Sequence, residues 1–193
     1  MARRPSFFPS HLHPSAYGGV LRKRSRGRGA RSVSTRYSMH LVLRSSLARG
    51  VWSFVRPKNR AMIKSVLAKQ ARAAHAELLG VGNAGNHLHL RVKFQSRKQY
   101  LYFIRAVAGE IALHIKKIQR PRTILNCSST SNTPLNRNFW DHRPFSSIVS
   151  SLKYVARLKD YIEINHIEGL GFPRAYARLA VQKWSEYPWP DTA

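Results

Sequence analysis

Half of the chain's 34 lysines and arginines precede its first acidic residue, Glu77. Only 8 aspartates and glutamates oppose them, which leaves a net charge of +26 over 193 residues. Self-repulsion on that scale works against compaction, so the expected partner is a polyanion that supplies counter-charge. A ribosomal protein, a chromatin-like protein and an enzyme acting on nucleic acid all satisfy that requirement. An anionic membrane surface fits less well, because no strongly basic amphipathic helix stands out. The 43% hydrophobic content supports one core and excludes wholesale disorder. A lone cysteine, Cys127, excludes a disulfide framework and a multi-cysteine zinc site. No apolar run approaches the roughly 20 residues of a bilayer span.

Residues 1–37 read as a basic, disordered tail. Pro5, Pro9, Pro14 and Gly18-Gly19 interrupt regular structure, and the run from Leu21 to Arg28 is kept extended by like charge. Residues 38–172 read as one domain and 173–193 as a C-terminal extension containing Trp and Pro. Within the domain, Ser38–Leu43 predicts a strand and Asn59–Leu79 a long basic helix. Met62, Ile63, Val66, Leu67 and Ala74 form the apolar face of that helix. Val81–Asn86 is glycine-rich and turn-like, and His87–Phe94 alternates as a strand. Lys98–Lys117 predicts a second helix, stopped by Pro121, followed by a polar loop over Arg122–Asn138. Phe139–Val149 reads as extended and Leu152–Ile164 as a third helix. The order β-α-β-β-α-β-α predicts a ferredoxin-like α+β domain, an antiparallel sheet with helices on one face.

His87-Leu88-His89 is the pattern with most chemical content. Alternation along a strand sends both imidazoles out of one face while Leu88 and Leu90 point into a core. Two neutral imidazoles on one face make half a site for a divalent cation. Spacing alone is weak evidence: with 9 histidines, about 0.4 such pairs arise by chance, and two histidines on a wet sheet face explain it equally well. A second copy, His11-Leu12-His13, lies in the tail and reads as accidental. On the third helix, Tyr161 and Asn165 are four apart and so share a face. They border an apolar stripe of Leu152, Val155, Leu158 and Ile162, and Tyr154 lies on the same border. Any one of these tyrosines is ordinarily an amphipathic residue at the edge of a core.

The segment Gly85-Asn86-His87-Leu88-His89-Leu90 resembles the HUH signature (histidine, hydrophobic, histidine) of single-tyrosine transposases. Phe139-Trp140-Asp141-His142-Arg143-Pro144-Phe145 followed by Asp160-Tyr161-Ile162-Glu163-Ile164-Asn165 resembles their closing strand and catalytic helix. These segments resemble REP-associated tyrosine transposases, and the ending Trp184-Ser185-Glu186-Tyr187-Pro188-Trp189 is similar to the Trp/Pro-rich close of that family. The resemblance spans about Tyr37–Phe172 plus this ending.

It implies cleavage and strand transfer of single-stranded or hairpin DNA in a bacterial cytoplasm, near the nucleoid. By position, Tyr161 would attack the scissile phosphate and stay linked to the 5′ end. His87, His89 and Asn165 would hold Mg²⁺ or Mn²⁺. A phenol with its ordinary pKa near 10 is a weak nucleophile at neutral pH and needs such help. A phosphotyrosine conserves the energy of the broken phosphodiester, and accordingly no P-loop occurs.

Two positions depart from the family pattern. His166 stands where many relatives carry proline, as an incidental helix-end residue or an extra donor. Arg91 stands on the histidines' face where many carry an aliphatic residue, able to bind phosphate or to weaken metal affinity. Supporting contacts to DNA are expected from Lys58, Arg60, Lys64, Lys69 and Arg72, and from Lys116, Lys117, Arg120 and Arg122. Three other readings stand beside this one: a non-catalytic basic nucleic-acid-binding protein of ribosomal or nucleoid type, an inactive domesticated transposase, and an HUH enzyme of the replication-initiator or relaxase kind. The last is disfavoured by the short chain. Monomer and homodimer both remain open, because some relatives borrow the tyrosine helix from a partner.

Overall fold

The computed structural model describes residues 31–117 and 138–186, with the backbone of Tyr17–Gly18. In chain order the elements are β1 (Tyr17–Gly18), β2 (Ser38–Arg44), a 3₁₀ turn (Gly50–Trp52), α1 (Pro57–Ala73), β3 (Glu77–Asn83) and β4 (His87–Lys93). Then come α2 (Arg97–Lys117), β5 (Phe145–Val149), α3 (Leu152–Gly169) and α4 (Arg174–Glu186). The strands form one antiparallel sheet in the order β1-β5-β2-β4-β3. The α+β antiparallel sheet is the ferredoxin-like one expected from the sequence, but its helices occupy both faces rather than the one face expected.

Register decides which side chains share a face. Met39 pairs with Val92, Leu41 with Leu90 and Leu43 with Leu88. All six are fully buried, and with Ile63, Val66 and Leu67 of α1 and Phe103, Val107 and Ile111 of α2 they make the main core. A fully buried Leu, Ile or Phe contributes about 1.5–3 kcal/mol over its exposed state, so this face holds the domain together. Tyr100 and Phe103 are core residues, whereas Tyr102 is exposed.

The third helix does not join the first two. It crosses the opposite face, where Tyr154, Leu158 and Ile162 pack with Val149. Leu152, expected in its apolar stripe, is 88% exposed. It stands at the first turn, directly after the capping Ser151 whose side chain accepts from the Tyr154 amide at 3.2 Å. The helix runs on past Ile164 to Gly169. Ile167 there packs against Ala177 and Val181 of α4, a helix that occupies most of the C-terminal extension.

Two further expectations are corrected. The first helix ends at Ala73 rather than Leu79, and Val81–Asn86 is not simply a turn, because Glu77–Asn83 is strand β3. The helix stops through a left-handed His75 (φ 49°), whose amide donates to Arg72 O while that of Ala76 donates to Ala71 O. That is a Schellman close made without the customary glycine. The glycines of β3 serve packing. A Cβ on Gly82 would stand 2.7 Å from the carbonyl oxygen and 2.9 Å from Cγ2 of Ile162, so glycine there lets α3 lie on the sheet.

Part of the segment read as a tail contacts the domain. Tyr17 and Gly18 pair with Ser147 and Ser146 on β5. The Arg31 guanidinium donates to the Tyr100 hydroxyl at 3.3 Å and to Pro144 O, and Arg97 donates to Arg31 O at 2.6 Å. His11 and His13, the polar loop with Cys127, Arg120 and Arg122, Trp189 and the side chain of Trp184 lie outside the described residues.

Candidate active site

Strand β4 sends His87, His89 and Arg91 out of the face away from the main core, opposite Arg44, Val42 and His40 of β2. The His87 and His89 rings meet edge to face with centroids 4.8 Å apart. Tyr161, from α3, sets its ring against His89 in the same way at 5.0 Å. Asn165 lies one helical turn on, 5% exposed, with its amide donating to the Tyr161 carbonyl at 2.6 Å. Its side chain also neighbours His87. The four residues expected to act together are therefore brought together, within one chain. Asn165 is buried, whereas the sequence placed it on a merely bordering position. The glycine-lined bed of β3 lowers the helix far enough to cover it.

Both imidazoles are held neutral. Burial pushes the pKa of His87 down, helped by the Arg44 guanidinium and opposed by the Asn165 side chain and the Glu168 carboxylate. Burial pushes His89 well down, and the neighbouring His40 and His87 add to it. Neutral rings keep lone pairs available for a cation. His87 Nδ1 is engaged with Asn86 Oδ1 at 2.6 Å, which leaves Nε2. His89 Nε2 is buried and makes no hydrogen bond. Those two nitrogens and the amide of Asn165 suit a divalent cation that also takes phosphate oxygens. Among the described residues, no three His, Cys, Asp or Glu side chains form a complete metal cage. The donor set is an open one.

His40 was not singled out from the sequence. It is 1% exposed, and its Nε2 lies 3.1 Å from His89 Nδ1. Alternation along Ser38–Leu43 already put it opposite Leu41, but which histidine it would meet depends on the pairing of β2 with β4.

Tyr154 packs on β5, against Val149. Its hydroxyl hydrogen-bonds Ser147 Oγ at 2.8 Å, and burial pushes its pKa up. Its neutral phenol is a core-edge group. His166 turns aside, lining a cavity of about 640 Å³ with Arg60, Lys64, Leu67 and Val81. Arg91 is half-buried on the histidines' face, opposite His40 and Gly80. Lys58, Arg60, Lys64, Arg72 and Lys117 are exposed. Lys69 is exposed but paired with Glu110 at 2.9 Å, and Lys116 is half-buried.

The fold has counterparts among solved structures. A REP-associated tyrosine transposase bound to a REP hairpin superposes with a TM-score of 0.53 at 14% identity, covering 74% of this chain and 73% of that one. The two chains share a fold. A candidate transposase from Deinococcus radiodurans R1 is also similar, with a TM-score of 0.44 at 19% identity, covering 74% of this chain and 98% of that one. No family model matches the sequence, and no curated protein does. Among the described residues, no helix is long and apolar enough to cross a membrane.

Proposed function

We propose that this protein is a transposase-type enzyme that cuts and rejoins single-stranded DNA through a covalent tyrosine intermediate. The observation that carries the reading is the contact of Tyr161 with His89, beside His87 and Asn165, in a chain of net charge +26. The transposase fold supports it independently. The Tyr161 Oη attacks the scissile phosphorus and gives up its proton. The new O–P bond forms as the P–O3′ bond breaks, and the departing 3′ oxygen takes up a proton to leave a 3′-hydroxyl. The 5′ phosphate stays on Tyr161, and attack by another 3′-hydroxyl reverses the step, so no ATP is needed.

His87, His89 and Asn165 would hold Mg²⁺ or Mn²⁺. When bound, such an ion polarises the phosphate and offsets the charge growing on its oxygens. The chain's own residues do the placing. Asn165 ties its side chain to the Tyr161 carbonyl and neighbours His87, so this amide lies between the nucleophile's helix and the imidazole strand. The exposed cations Lys58, Arg60 and Lys64 on α1 attract the backbone of a single strand or hairpin without reading its bases.

The deciding experiment is incubation with single-stranded hairpin DNA and Mn²⁺, followed by a denaturing gel. A shifted protein–DNA band that disappears in Tyr161→Phe is the expected result. If no band forms in the parent while the DNA is still bound, the reading falls to the non-catalytic one, which the +26 charge alone favours equally.

A further inference from the structure

Two aromatic rings stand together at the start of α4. Gly171, left-handed at φ 100°, ends α3 in a Schellman close: its amide donates to Glu168 O at 3.0 Å and that of Phe172 to Ile167 O at 3.4 Å. The turn delivers Phe172 against Tyr176, with the rings stacked, centroids 5.1 Å apart and 23° between planes. Apolar packing across a helix start is ordinary and covers one side of each ring. Phe172 is nevertheless 48% and Tyr176 54% exposed, and among the described residues neither belongs to an apolar cluster of the core. A flat apolar face is left in water.

Leu179 and Lys183, three and seven residues after Tyr176, continue its face of the helix, and both are exposed. Within α4 the cations Arg174, Arg178 and Lys183 stand against one acidic residue, Glu186. A second copy seated on this face would bring the same cations and another +26 of charge, so like-charge repulsion opposes that occupant. A polyanion that carries flat apolar groups of its own satisfies both features. The face also lies near the candidate site: Arg174 donates to Glu168 at 2.7 Å, and Glu168 is about 10 Å along α3 from Tyr161. We infer that Phe172 and Tyr176 form a stacking platform for an unpaired base of single-stranded DNA, with Lys183 meeting a neighbouring phosphate. The base adds a third layer to the ring pair, a contact that every base can make when free and that a base held within a duplex cannot. The inference rests on single-stranded DNA as the partner and not on the cleavage step.

The test measures binding by fluorescence anisotropy on the full chain in EDTA, so that affinity is read without cutting. The probes are a short oligothymidylate, an abasic strand of the same length and a closed dumbbell duplex. The double variant Phe172→Leu with Tyr176→Leu keeps apolar bulk and removes both π faces. Its affinity for oligothymidylate is expected to fall roughly 5- to 150-fold, the equivalent of one lost base stack, with the abasic strand and the dumbbell bound as by the parent. Phe172→Trp keeps a ring, and Leu179→Ala trims the adjoining apolar surface without touching one. Both should bind oligothymidylate as the parent does. Parent-like affinity of the double variant for oligothymidylate overturns the platform, and so does an equal loss on all three probes. Self-association of the parent in sedimentation that the double variant lacks assigns the face to a second copy instead. Should the double variant fail to fold, photocrosslinking of a 5-iodouracil strand to the parent decides: adducts at Phe172 or Tyr176 are expected, and adducts only elsewhere overturn the platform. If the parent passes these tests but forms no covalent band with Mn²⁺, the cleavage reading alone fails.

Discussion

Gly82 and Ile162 stand so close that the helix carbonyl lies 2.7 Å from where a Cβ would be. Strand β3 thus meets α3 through backbone, and the height of Tyr161 over the sheet is set by the absence of a side chain. Gly82→Ala should push α3 outward, costing about 1–3 kcal/mol of stability as overpacking does, and should weaken DNA cleavage more than DNA binding. Gly109→Ala is the control. Nothing lies within 4 Å of its Cβ position on α2, so it should be neutral or stabilise by about 0.5–1 kcal/mol. Thermal melting and a cleavage assay on both variants check the pair.

Tyr161→Phe removes one hydroxyl and little else. Covalent capture of DNA should drop to background while DNA affinity stays within a few-fold, as read by denaturing gel and by fluorescence anisotropy. Unchanged cleavage would show that another group is the nucleophile.

Tyr154→Phe separates the two phenols. Its hydroxyl is bonded to Ser147 Oγ within the fold, so the variant should lose about 1 kcal/mol of stability and cut DNA normally. A variant that melts like the parent but cannot cut would reverse the assignments of Tyr154 and Tyr161.

His87→Ala should abolish saturable Mn²⁺ binding measured by calorimetry and leave salt-sensitive DNA binding in place. Equal Mn²⁺ binding by parent and variant would point to a protein that only holds nucleic acid.

Acid should unfold the protein through its buried imidazoles. Burial pushes His40 down to about 3, and it lowers His87 and His89 also. The unfolded chain, with its histidines near 6.5, then binds more protons than the folded one below that pH. Their contribution is complete above about 6.5, and stability falls progressively as pH drops from there toward the folded-state values. His40→Phe should reduce that slope. Denaturant midpoints from pH 8 to pH 4, for the parent and this variant, measure it.

The sequence made legible those elements whose pattern is local. Alternation in His87–Phe94 placed both imidazoles on one face, and i,i+4 spacing put Tyr161 with Asn165, because both rest on backbone periodicity alone. The end of α1 was hidden because His75, not glycine, takes the left-handed position. Strand β3 was hidden because Glu77–Leu79 read as the end of the first helix and Gly82 as a turn residue until a helix lies on it. His40 was invisible as a partner of His89, since only the pairing of β2 with β4 puts a diagonal neighbour there. The misses over β3 and His40 concern contacts between distant segments, where local preference carries no information.

Ile167 rests on Ala177 and Val181 while Ile162 rests on Gly82. The rod that carries the phenol is thus anchored at two points, with Tyr161 at the sheet end. If Tyr161 is the nucleophile proposed above, a phenol mounted in that way has little room to swing toward its target. The scissile phosphate would then have to be delivered to the oxygen, and selectivity among DNA ends would fall to whatever bends the strand into place.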